Sequence, residues 1–104
     1  MNKNSTLTIR FHNKQNLKKF SKKYFTLKAE NKDYNYFNYL ELIVISCKSY
    51  NIPNFTAQRG ERMKMPKMCI GMKKDEHQQL KKQLIEFKPS RISDVVNYYL
   101  ENLK

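Results

Sequence analysis

Two short alternating stretches, each followed by two amphipathic segments, predict a mainly α chain with two β-strands in the order β-α-α-β-α-α. One set runs from Thr6 to Tyr50 and the other from Lys67 to Leu103. Within each set, apolar residues recur first at the period of two expected of a half-buried strand, then at the spacing of one helix face.

In Thr6-Leu7-Thr8-Ile9-Arg10-Phe11, Leu7, Ile9 and Phe11 point to one face and Thr6, Thr8 and Arg10 to the other. The segment from Asn13 to Phe25 reads as a basic amphipathic helix with Leu17, Phe20, Tyr24 and Phe25 on its apolar side. Leu27 to Asp33 reads as a polar loop. Tyr36 to Cys47 reads as a helix capped by Asp33, Asn35 or Asn38, although its Ile and Val content also permits a strand. In the second set, Lys67-Met68-Cys69-Ile70-Gly71-Met72-Lys73 alternates with Met68, Ile70 and Met72 inward. Lys74 to Ile85 carries Leu80, Leu84 and Ile85 on one helix face, and Lys88-Pro89 stops it, because a residue before proline disfavours the helical region. Ser90 and Ser93 are N-cap candidates for a last helix through Val95, Val96, Tyr99, Leu100 and Leu103.

The predicted organisation is a first unit over 1–50, a connector over 51–66 and a second unit over 67–104, sharing one core. Each half alone is too small to bury enough surface. The connector has the punctuation of a linker, and that reading is preferred to one in which Phe55 and the methionines pack on the surface or pair with neighbouring molecules and Arg59, Arg62 and Lys64 reach an adjoining polyanion.

Composition narrows the function. No run approaches the roughly 18 apolar residues of a membrane span and no charged-then-apolar leader opens the chain, so a soluble cytoplasmic protein is expected. Cys47 and Cys69 read as reduced thiols, and neither they nor His12 and His77 show a metal-ligand spacing. No nucleophile, base and orienting group assemble, and with only Gly60 and Gly71 there is no phosphate loop. Neither an enzyme, a cofactor nor a small-molecule substrate is expected. The net charge of +12, with eight Lys or Arg before the first acid at Glu30, points to a polyanion. Any one of Lys18, Lys19, Lys22 and Lys23 is best read as solvating a helix face; the ensemble is not.

The twofold strand-helix-helix order, with Ile70-Gly71-Met72, Leu80 and Ser90-Arg91-Ile92-Ser93-Asp94-Val95-Val96, resembles the ribbon-helix-helix family of DNA-binding proteins. The resemblance implies a tandem pseudo-dimer, mainly α with one short two-stranded antiparallel β-ribbon, in which one chain supplies both strands and the ribbon enters the major groove. It implies base readout by Thr6, Thr8 and Arg10 from one strand and Lys67, Cys69 and Gly71 from the other. Arg10 is the strongest of these, since a guanidinium bonds bidentately to guanine. Gly71 has no side chain to read with, and unequal strands imply a non-palindromic target. The family also clamps phosphates at the start of each second helix. Here that implies Ser90, Arg91 and Ser93 on one side and Asn35 to Asn38 on the other, with Lys73, Lys74 and Lys88 adding contacts.

Single-chain forms are similar to the TraY-type accessory proteins of conjugative relaxosomes, which implies double-stranded DNA near a transfer origin, and a relaxase or neighbouring copies, as partners. The Lys, Asn, Tyr and Ile usage suits an AT-rich plasmid, phage or bacterium. A transcriptional repressor is the alternative, and a basic module binding RNA or acidic surfaces by charge is the competing class. An antitoxin role is disfavoured because the last helix ends at the chain terminus.

Overall fold

The computed structural model describes residues 4–54, 64–88 and 90–103. Strand β1 (Asn4–Arg10) and strand β2 (Lys67–Lys73) form one antiparallel two-stranded ribbon. Thr8 pairs with Cys69, Thr6 with Gly71, and Arg10 with Lys67, while Leu7 faces Ile70 and Ile9 faces Met68. Ile9, Ile70 and Met72 are buried, and Leu7 and Met68 half-buried, on the inner face.

Helices α1 (Lys14–Glu30) and α2 (Tyr36–Ser46) follow β1, and helix α3 (Lys74–Leu84) follows β2 with no intervening loop. A 3₁₀ turn (Ile85–Phe87), helix α4 (Ile92–Tyr98) and a π turn (Tyr99–Leu103) complete the chain. The expected tandem of two equivalent strand-helix-helix units is therefore corrected. The second half consists of four helical pieces where the first has two, and its first helix has 11 residues against 17 in α1. The extra pieces have local causes. Lys88, extended at φ −55° and ψ 141° ahead of Pro89, cannot continue α3, whose end tightens into the 3₁₀ turn. The π turn begins just after Asn97, whose side-chain amide bonds the Ser93 carbonyl at 2.7 Å, an inserted contact of the kind that widens a helix.

Other expectations shift by a turn or less. Leu27 to Glu30 is the last turn of α1, not loop, since these helix-forming residues let Leu27 pack on the core. Phe25 is 64% exposed, because it sits one residue, about 100° of helix, past buried Tyr24. Ile85 is likewise 58% exposed. Helix α2 starts at a reciprocal box in which the Asn35 side chain accepts from Asn38 N–H at 2.9 Å and Asn38 accepts from Asn35 N–H at 3.1 Å. Neither Ser90 nor Ser93 caps α4; the Asp94 carboxylate accepts the Arg91 N–H at 2.8 Å. Of the connector, residues 55–63, with Phe55, Arg59 and Arg62, lie outside the described residues.

The core is one cluster under the ribbon. Phe11, Phe20, Tyr39, Leu40, Ile43, Val44, Val95 and Val96 are fully buried. Tyr24 and Tyr36 stack at 3.8 Å between centroids, and Phe20 meets Tyr39 at 4.7 Å. Among the described residues no helix is long and apolar enough to cross a membrane.

One polar residue ties β1 to the last helix. Asn97, 1% exposed, accepts the His12 N–H and the Asn16 amide at 2.9 Å each, and donates to the Arg10 carbonyl at 2.9 Å and the Ser93 carbonyl at 2.7 Å. All four of its hydrogen-bonding positions are filled. Replacing it by Leu strips a partner from the buried Asn16 amide and from the part-buried Arg10 carbonyl and His12 N–H, at about 1–3 kcal/mol for a buried group and less for the others. Asn97→Leu is expected to lower unfolding stability by about 2–4 kcal/mol, read as a lower urea midpoint at unchanged m-value; a change below about 0.5 kcal/mol would show that the network contributes nothing.

Candidate nucleic-acid interface

Strand alternation sends every second side chain of the ribbon away from the core. Thr6, Thr8, Lys67, Cys69 and Gly71 are exposed on this outer face, and Arg10 is half-exposed beside Lys67. The cross-strand register arranges them in columns: Asn4 with Lys73, Thr6 with Gly71, Thr8 with Cys69, Arg10 with Lys67. Thr8 Oγ1 and Cys69 Sγ lie 3.7 Å apart. A Cβ built on Gly71 meets nothing within 4 Å, so neither packing nor backbone conformation demands glycine there.

The end of the face that carries Arg10 is held from behind. Arg10 N–H donates to Ser93 Oγ at 3.1 Å, and its carbonyl accepts from Asn97. The guanidinium thus springs from a backbone fixed on both sides by α4, which lowers the entropy lost when it engages a ligand. At the far end, Ser5 Oγ is hydrogen-bonded to His77 Nδ1 of α3.

The residues expected to clamp phosphates divide. Lys73, Lys74 and Arg91 are exposed and free to reach outward. Ser90 is 4% exposed and its hydroxyl donates to the Ile52 carbonyl at 2.7 Å, and Ser93 Oγ is engaged by Arg10. At the start of α4, Asp94 places its own carboxylate on the N-terminal N–H that a phosphate would seek. At the start of α2, the Asn35 and Asn38 side chains cap each other's N–H groups, and helix geometry leaves the Tyr36 and Phe37 N–H groups directed outward. Lys23, expected to be solvated, instead donates to Tyr99 Oη at 2.6 Å and lies 4.8 Å from that ring's centroid.

Sequence reading missed two contributors. Asn4 extends the outer face by one more alternation, a period-two signal that starts two residues earlier. Asn97 was readable as the one polar residue in an apolar run from Val95 to Leu100, a place where a buried amide needs several partners.

The two thiols differ sharply. Burial pushes the Cys47 thiol up to about 11, whereas Cys69 stands on the exposed face. Alkylation of the folded protein with iodoacetamide at pH 8 is expected to modify Cys69 and spare Cys47, by peptide mass mapping. Modification of both at equal rates would contradict this packing.

On the acid side, His77 and Glu101 couple folding to pH. Burial, and then Lys81, lower the His77 pKa from its ordinary 6.5, so the folded state favours neutral imidazole. That contribution is present above pH 6.5 and is lost as pH falls through the lower folded value. Burial alone would raise Glu101, but hydrogen bonds from Asn16 (2.8 Å) and His12 (2.9 Å) outweigh it and hold the carboxyl below 4.5. Its contribution is present above that pH and is lost below it. The urea midpoint is expected to fall in two steps on acidification, His77→Gln flattening the first and Glu101→Gln the second; a midpoint unchanged from pH 8 to 3 would refute both assignments.

Comparison with protein-family models, with curated proteins and with solved structures finds no match to this chain.

Proposed function

We propose that the chain binds double-stranded DNA by inserting the outer face of its ribbon into the major groove. The observation that carries this reading is the single exposed face on which Thr6, Thr8, Arg10, Lys67 and Cys69 stand in register, on a protein of net charge +12. A seven-residue ribbon is about 23 Å long and its strands lie about 5 Å apart, which suits a groove about 12 Å wide. Arg10 addresses guanine O6 and N7, Thr6 and Thr8 address adjacent edges or a thymine methyl, and Gly71 lets the ribbon approach closely. Lys73, at the far edge of this face, and Lys74 and Arg91 beside it contact phosphates. Because the strands differ at every outer pair, the target is not a palindrome.

On the resemblance seen in the sequence, the site served is a plasmid transfer origin, where the protein assists a relaxase. Occupancy of a promoter instead would make it a repressor.

Two measurements test the reading. Selection from random duplex DNA at physiological salt, with single-stranded RNA competing, is expected to enrich a short asymmetric motif; no enrichment, with RNA competing equally, would reduce the protein to a charge-driven binder. On the enriched motif, Arg10→Ala is expected to cost about 1–3 kcal/mol and relax one base position, whereas Lys74→Ala weakens binding to all sequences about equally. Equal losses on random DNA from both variants would remove base readout from the ribbon.

A further inference from the structure

On the flank of the ribbon, α3 and the start of α4 leave a groove of about 670 Å³ floored by Leu7, Leu80, Leu84 and Ile92. This is the size range of a specific binding cleft. Among the described residues no Phe, Tyr or Trp lines this groove. Ile85 borders it with 58% of its surface in solvent.

The rim is basic. Lys81, Lys82, Lys88 and Arg91 border the groove, and among the described residues no carboxylate lines it. Along α3 the lining residues fall at 77, 80, 81, 82 and 84, about two turns or roughly 10 Å, and Ile85 and Lys88 of the turn after it extend the lining. An open apolar strip of that length is shaped for a polypeptide segment more than for a compact ligand. A second copy of a chain with net charge +12 is repelled by the same rim.

We propose that this groove docks an acidic amphipathic segment of a partner protein, whose apolar side chains seat on Leu84 and Ile85, above the buried Leu80, while its carboxylates meet Lys81 and Lys82. Helix-in-groove recognition of this kind reads apolar anchors at i, i+4 and i+7. The inference does not depend on DNA binding, since Ile85 and Lys81 have no part in the ribbon face.

The test uses the full chain and a fluorescent peptide of about 14 residues with leucines at i, i+4 and i+7 and glutamates elsewhere. Controls are the same composition scrambled so that no apolar stripe forms, and a version with lysines for the glutamates. The acidic amphipathic peptide is expected to bind at least about tenfold more tightly than either control, and to shift the backbone NMR signals of Leu80, Leu84 and Ile85. Ile85→Glu and Lys81→Glu should each weaken it at least about tenfold, with unchanged circular dichroism and unchanged retention on DNA. Several results would overturn the proposal: equal binding of the scrambled peptide, no binding by about 1 mM, or shifts confined to the ribbon face. So would decanoate filling the groove while the peptide does not, or a concentration-dependent dimer abolished by Ile85→Glu without peptide binding.

Discussion

Everything in this chain hangs on the pairing of two seven-residue strands that are distant in sequence. Among the described residues neither strand has a second neighbour, and an isolated two-stranded ribbon is marginal in water. It persists because its inner face is the roof of the core. The register is correspondingly constrained: a slip of one residue would turn Ile9 outward and press Thr8 and Arg10 against the buried rings. The same constraint that closes the core therefore determines which side chains reach solvent on the other side.

Polar chemistry reinforces that roof where hydrophobic packing runs out. At the Arg10 end of β1 the chain leaves the sheet, and its backbone groups need new partners. Ser93 and Asn97 of α4 provide them, while Asn16, His12 and Glu101 complete the network behind. The far end is held by one contact, between Ser5 and His77. One end of the ribbon is thus multiply anchored and the other lightly, which orders Arg10 more firmly than Asn4. Asp75, Glu76 and Asp94 sit in the first turns of helices and Glu101 in this network, and neither of the two ion pairs formed among the described residues takes a lysine of α1. Most of the positive charge is consequently left to act outward.

What was legible in the sequence follows from how local each signal is. The strands were legible because period-two alternation in Leu7-Thr8-Ile9 and Met68-Cys69-Ile70 needs only neighbours to express itself. The start of α2 was legible because Asn35 caps within its own turn. The π turn after α4 was not, because periodicity does not show that the Asn97 side chain turns back onto the Ser93 carbonyl. Ser90 and Ser93 were legible as cap-type residues, but their hydroxyls are taken by Ile52 and Arg10, which lie far away in sequence. Of the candidate site, the outward face could be read from alternation alone, whereas the groove beside α3 could not, since it exists only where two elements fail to fill the space between them.

A two-strand reader made by two identical chains must change both strands with every mutation. Here the two strands belong to one coding sequence and differ at every outward column, so each position varies by itself. Gly71 is the extreme case: open space surrounds its missing side chain, and the fold asks nothing of it. It is an unwritten character in an otherwise occupied line, where a new side chain adds a contact without disturbing a single buried neighbour. Evolution, or a designer, can therefore change what this surface presents one residue at a time.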